Sequence, residues 1–197
     1  EFANTESVTV YPSIATAAAA IPASKIDHAA LDAQFLKGDK ERHAVANHLA
    51  TKYRISTAES LSYVSHAIEV ANEVNLDPVL LLAIMATESS LNPNAQSRAG
   101  AQGLMQVLTR VHTEKFEPYG GTVAAFVPEA NIRVGALILK ACIAKAGSLE
   151  AGLRSYLGAP NASSGPNSYT NKVIAEREEL NAVARNRSPR TSGNSSA

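Results

Sequence analysis

Tryptophan is absent from these 197 residues, and aromatic residues make up only 5% of them. Any stacking on a ring-shaped ligand would fall to Tyr and Phe. Cys142 is the single cysteine, which excludes an internal disulfide and a Cys-rich zinc site. It lies in an apolar helical pattern and reads as a buried small hydrophobe. Neither sign of charge is in excess: 18 Lys and Arg balance 18 Asp and Glu, so no nucleic-acid partner is expected. No apolar run approaches the roughly 20 residues of a membrane-spanning helix, so no transmembrane segment is expected. Internal repeats and alternating strand patterns of useful length are missing as well. There is no His-Glu-x-x-His, no Gly-x-Ser-x-Gly and no P-loop. His28, His43, His48, His66 and His112 show no metal-ligand spacing and read as structural or exposed. No metal and no cofactor is expected.

What the chain does contain is helical pattern, and the fold class it predicts is all-α. The length suits one domain plus tails. Residues 1–25 mix Thr, Ser, Ala, Val and Pro without periodicity and read as a flexible arm. Residues 26–55 read as a helical extension, with a short helix over 26–37 ended by Gly38 and a second from Asp39 to about Arg54. The main domain is expected over 56–186. It opens with the capping box Ser56-Thr57-Ala58-Glu59, followed by Leu61, Val64, Ile68 and Ala71 at helical spacing. Further helices are expected over 109–116, 128–146, 149–157 and 169–185, with a loop over 158–168. The tail 187–197 is polar and reads as disordered.

The chain is organised around 77–108. Asp77 can cap a helix, and Pro78 fits its first position, where a missing N–H costs nothing. Residues 79–86 are all apolar, and their Leu, Ala and Met content favours helix over strand. A helix apolar on every side lies inside a core. Near its end sits Glu88. A carboxyl there is costly as an anion unless paired, and burial raises its pKa. Held protonated near neutral pH, it can act as a general acid. The alternative is a helix-end Glu turned to solvent. No further Asp or Glu occurs until Glu114. Asn92-Pro93-Asn94 then breaks the helix, and Ser97, Gly100 and Gly103 permit tight turns and close backbone approach.

Residues 88–106 read Glu-Ser-Ser-Leu-Asn-Pro-Asn-Ala-Gln-Ser-Arg-Ala-Gly-Ala-Gln-Gly-Leu-Met-Gln. This stretch resembles the signature of the SLT-type (family 1) lytic transglycosylases of the lysozyme-like superfamily. Asn131-Ile132-Arg133-Val134-Gly135 matches a later Asn-x-x-x-Gly motif of that family. Arg154-Ser155-Tyr156-Leu157-Gly158-Ala159-Pro160 is similar to its Ala-Tyr-Asn-Ala-Gly-Pro, and Tyr169 has a counterpart before the last helix. The likeness runs in order over about 60–185. Three positions depart: Leu157 stands for the family's Asn, and Leu108 and Thr109 for its Met-Pro. Leu108 still supplies an apolar wall.

The resemblance implies a lysozyme-like (goose-type/SLT) globular helical domain with an N-terminal helical extension. It implies a lyase of the periplasm or cell envelope acting on peptidoglycan glycan strands. The bond cut joins N-acetylmuramic acid to N-acetylglucosamine, and the product is a 1,6-anhydro sugar. Glu88 would be the catalytic acid, then base. Ser97, Gly103, Met105, Gln106, Leu108, Tyr156 and Tyr169 would bind substrate. Bland alternatives stay open for five of these: Ser97 as a turn serine, Gln106 as a structural hydrogen bond, Met105 as core, Tyr156 and Tyr169 as core tyrosines. A monomer is expected, with a cell-envelope secretion or wall-remodelling complex as an open further partner. Competing readings are a hydrolytic muramidase, in which Asp77, Glu114, Glu117 or Glu129 folds into the groove, and a non-catalytic peptidoglycan-binding or assembly module.

Overall fold

The computed structural model describes residues 11–21, 36–159 and 168–185. Its helices, in chain order, are α1 (Ala15–Ala19), α2 (Asp39–Tyr53), α3 (Thr57–Val74), α4 (Pro78–Ser89), α5 (Thr113–Phe116), α6 (Pro128–Ala146), α7 (Leu149–Tyr156) and α8 (Tyr169–Ala184). The class is all-α, as the sequence predicts. One small departure is a hairpin of β1 (Ala101–Gln102) and β2 (Val107–Leu108), paired antiparallel with Ala101 opposite Leu108. Two-residue strands carry no alternation that a sequence pattern could show. The expected short helix over 26–37 falls largely outside the described residues, as does the tail 187–197.

Helix α4 forms where cap chemistry and composition agree. Asp77 Oδ1 accepts from the Val79 N–H at 2.9 Å, and Pro78 takes the first helical position. From Pro78 to Ala86 every residue is buried. Each fully buried Leu, Ile, Val or Met contributes about 1.5–3 kcal/mol of apolar transfer energy, so this helix anchors the core. Helices α3 and α8 pack against it, and α6 shares one hydrophobic cluster with it. The helix stops where Ser90 and Leu91 turn left-handed, at φ 53° and 61°.

The capping box at Ser56 and Glu59 is formed in both directions and starts α3. Gly147 ends α6, and Ser148 caps α7. Helices α6 and α7 pack closely because Gly152 leaves room. A Cβ there would lie 2.7 Å from the Ile143 Cα. Arg133 of α6 is 2% exposed and ties three acids together: Glu69 and Glu73 of α3, and Glu129 one turn back on α6. A guanidinium buried among carboxylates locks two helices in register, since breaking such a set leaves charge stranded.

Helix α2, within the expected extension, lies against α3 and α8. Ser60 Oγ donates to the Ala46 carbonyl at 2.8 Å. Lys52 Nζ bridges Glu176 and Glu179 of α8, each at 2.7 Å. Residues 11–21, expected as part of a flexible arm, are held to the body. Ser13 Oγ and the Ile14 N–H both donate to Glu73 Oε2 at 2.7 Å. Ile14 and Ala18 are buried beneath α1. A segment without periodicity can still dock through two apolar side chains and one shared carboxylate. Cys142 is only half-buried rather than enclosed in the core.

Candidate active site

The end of α4, the hairpin, the start of α5, the middle of α6 and the end of α7 line a groove of about 300 Å³. Glu88 enters it from the last turn of α4. Ser97, Ala99, Ala101, Gln106, Val107 and Leu108 form the hairpin side. His112, Ile138, Tyr156 and Leu157 complete the opposite wall.

Glu88 is the only carboxylate among the described residues lining this groove. Burial raises its pKa above the ordinary carboxylate range, and the Tyr169 hydroxyl pulls it part of the way back. The negative end of α4 opposes its ionisation as well. The buried Tyr169 hydroxyl faces the carboxyl but stops short of a well-aligned hydrogen bond. Burial, then the charge of Glu88, pushes both the Tyr156 and Tyr169 phenols up, so both stay protonated donors.

The hairpin is shaped by a few main-chain anchors. Gln106 adopts φ 49°, and its Nε2 donates to the carbonyls of Ala95 and Gly103 at 3.1 and 3.0 Å. Ser97 Oγ accepts from the Ala101 N–H at 3.0 Å, which leaves its own O–H for a ligand. Asn131 bridges helix to hairpin. Its Oδ1 accepts from the Met105 N–H at 2.7 Å, and its Nδ2 donates to Gln102 and Ala125 carbonyls at 2.9 and 2.8 Å. One turn along α6, Gly135 makes room for the Met105 side chain, since a Cβ there would lie 2.6 Å from its Sδ. The Asn-x-x-x-Gly motif thus grips one residue by its main chain and seats its side chain.

Of the expected site residues, Glu88, Ser97, Gln106, Leu108 and Tyr156 meet in the groove, and Tyr169 stands beside Glu88. Gly103 and Met105 are placed behind it. Gly103 sits at φ 78°, and a Cβ there would lie 2.1 Å from the Ala125 carbonyl oxygen, so this glycine serves close packing. Met105 is fully buried. The Tyr156 hydroxyl donates to the Met105 carbonyl at 2.8 Å and so braces the hairpin from the α7 side, rather than bonding Glu88.

His112 was expected to be structural or exposed, yet it lines the groove. The helix expected over 109–116 begins only at Thr113. Before it, the His112 N–H folds back to the carbonyls of Leu108 and Thr109, both at 3.2 Å, and turns the side chain to the groove. The only sequence signal was a histidine close behind the Gly-Leu-Met-Gln run. Outside the groove, His66, Glu69 and Glu129 have ligand atoms within 4.8 Å of one another. Histidine spacing alone did not show this grouping, because Glu129 comes from another helix. Arg133 already supplies the positive charge at both carboxylates.

The groove of this all-α domain thus holds one carboxyl of raised pKa, at the end of its central helix. The family model described as Transglycosylase SLT domain matches residues 65–178, more than half of the chain, and the protein belongs to that family. The chain is 35% identical over 89 residues to a protein named Transglycosylase from Enterobacteria phage PRD1, covering 45% of this chain and 32% of that protein. It is 39% identical over 83 residues to membrane-bound lytic murein transglycosylase C of Cronobacter sakazakii, covering 39% of this chain and 23% of the relative. Among solved structures, an inactive mutant of the lytic transglycosylase Slt from Pseudomonas aeruginosa aligns at a TM-score of 0.45 and 22% identity. That alignment covers 61% of this chain and 22% of the other. The chain therefore spans about a third or less of the length of these proteins.

Proposed function

We propose that this domain is a peptidoglycan lytic transglycosylase that works with a single acid. The observation that carries the reading is that Glu88, with its raised pKa, is the only carboxylate lining the groove among the described residues. Protonated Glu88 donates to the oxygen of the bond between N-acetylmuramic acid and N-acetylglucosamine. As that bond breaks, the acetamido oxygen of the muramic residue stabilises C1. Glu88, now a carboxylate, takes the proton from the C6 hydroxyl, whose oxygen closes on C1. The product carries a 1,6-anhydro ring, no water is consumed, and Glu88 ends protonated as it began. An intramolecular nucleophile has the advantage of high effective concentration. Ser97, Gln106, Leu108, Tyr156 and Tyr169 hold the substrate or its acid, with Gly103 and Met105 shaping the hairpin beneath. The site of action is the periplasm or cell envelope, where the glycan lies. We place the domain there as a monomer, open to a wall-remodelling or secretion complex.

A hydrolytic muramidase needs a second acid to position water. Asp77 is engaged by Arg177, Glu114 by Lys115 and Glu129 by Arg133, and Glu117 is exposed away from the groove lining. These placements favour the single-acid route. Mass spectrometry of fragments released from purified peptidoglycan tests it. Products one water lighter than reducing muropeptides, absent with Glu88→Gln, are expected. Reducing products would assign water as the nucleophile. Binding without release by the parent protein would leave a non-catalytic wall-binding module.

A further inference from the structure

We propose that His112 is a glycan-positioning residue, whose imidazole hydrogen-bonds an uncharged hydroxyl or acetamido group of the sugar held beside Glu88. The inference deepens the reading of this groove and rests on it.

The polar side chains of the groove wall are Glu88, Ser97, Gln106, His112 and Tyr156. Most are already occupied by the protein. Gln106 donates to Ala95 and Gly103, Tyr156 donates to Met105, and Ser97 accepts from Ala101 with only its O–H left to give. Glu88 is faced by Tyr169. The His112 ring makes no hydrogen bond to any described residue. It stands at the N-cap of α5, where a polar side chain ordinarily satisfies a helix N–H, yet it forms no cap bond. A structural role is thus not where its nitrogens are used. The ring is half-buried, and Ile138 and Leu157 line the same wall. A polar ring in such a wall finds its partner in what enters the groove.

The ring's protonation state selects the class of partner. Burial, then the Lys115 ammonium, lowers the His112 pKa from its ordinary value, and Glu114 offsets part of this. The neutral imidazole carries one donor and one acceptor. A sugar hydroxyl and an acetamide each offer both as well. A carboxylate, as in a peptide stem, calls instead for the imidazolium.

Calorimetric binding of a peptide-free N-acetylglucosamine tetrasaccharide tests this in the full chain carrying Glu88→Gln, whose turnover is too slow to disturb the measurement. Adding His112→Ala should weaken binding about three- to tenfold, the weight of one neutral hydrogen bond. His112→Gln, which restores a donor and an acceptor, should recover most of that loss. In the active protein, His112→Ala should raise KM on peptidoglycan and leave kcat within about twofold. Should the alanine variant fail to fold, His112→Phe fills the same space without hydrogen-bonding atoms and should show the same loss. Unchanged binding in the alanine or phenylalanine variant would overturn the proposal. Rescue by His112→Lys but not by His112→Gln would overturn it too, because it would mean that charge is being read. The two readings fail separately. A parent protein that binds the tetrasaccharide through His112 yet releases no fragments refutes the catalytic reading alone. A parent that cleaves normally with His112→Ala at unchanged KM refutes the positioning role alone.

Discussion

Helix α4 carries an acid near each end, and the protein treats the two oppositely. Asp77, at the N-terminus, is fully buried but saturated. One oxygen accepts from the Val79 N–H at 2.9 Å, and the other accepts from Arg177 Nε at 2.6 Å. The positive end of the helix favours its charge. Glu88, in the last turn, is less buried, has no Lys or Arg beside it among the described residues lining the groove, and lies at the negative end of the same helix. Burial accordingly raises its pKa. A carboxyl that the fold needs is given partners, whereas Glu88 is left without a cation, as suits the acid–base role proposed for it. Glu73 makes the same point on α3. Burial alone would raise it, but hydrogen bonds from Ser13, Arg133 and the Ile14 N–H outweigh that and hold it low.

Breaking either end should produce opposite signatures. Glu88→Gln should lower kcat on peptidoglycan about 10²–10⁴-fold, the usual weight of a general acid, in a turbidity or fragment-release assay. It should not destabilise the fold. A group whose folded pKa is raised lends stability in full below its unfolded pKa and loses it as pH rises through the folded value. Ionised Glu88 is a burden, so Glu88→Gln should match or exceed the parent in urea midpoint increasingly as pH rises above the ordinary carboxylate range. Asp77→Ala should do the reverse. Removing one partner of a buried ion pair, and a helix cap with it, should cost about 3–5 kcal/mol in urea unfolding. An Asp77→Ala protein as stable as the parent would end the contrast between the two helix ends.

Tyr169→Phe is a gentler probe of the Glu88 end. The phenol is the group that pulls the Glu88 pKa back down. Without it the carboxyl should hold its proton to higher pH, and the alkaline limb of kcat should move upward. Because the hydroxyl makes no well-formed hydrogen bond, stability should change by less than about 1 kcal/mol. A downward shift of that limb would mean that the phenol acts on the substrate rather than on the acid.

How much of this was legible beforehand follows the range of each interaction along the chain. Helix α4 was readable from Asp77-Pro78 and the apolar run, because cap and composition are local. The same holds for the Ser56–Glu59 box and for Gly147-Ser148. The candidate site around 88–106 came from the resemblance of that stretch to a family signature, and the short hairpin sets several of its residues on one groove wall. What could not be read joins distant residues. Arg177 reaches Asp77 across 100 positions. Tyr156 braces Met105 from a separate helix. Glu73 gathers the 11–21 segment that lacks any pattern. His112 faces the groove because the helix over 109–116 starts late, a boundary that propensity sets poorly when the turn before it is fixed by tertiary bonds.

The smallest effect is expected at Leu157, and it bears most directly on why Glu88 is raised. Leu157 lines the groove while 46% exposed, so it rests on the rim as an apolar cover. If desolvation is the cause of the Glu88 shift, then wetting that rim should weaken it. Leu157→Asn exchanges an apolar wall for an amide that draws water toward the carboxyl. The Glu88 pKa should fall, and the alkaline limb of kcat should move to lower pH, opposite to Tyr169→Phe. Stability should stay within about 0.5 kcal/mol, as for most exposed positions. A limb that stays in place would mean that the dryness of Glu88 comes from the closed side of the groove, from Ile138 and Val107. Substitution there would then be the means of moving the acid.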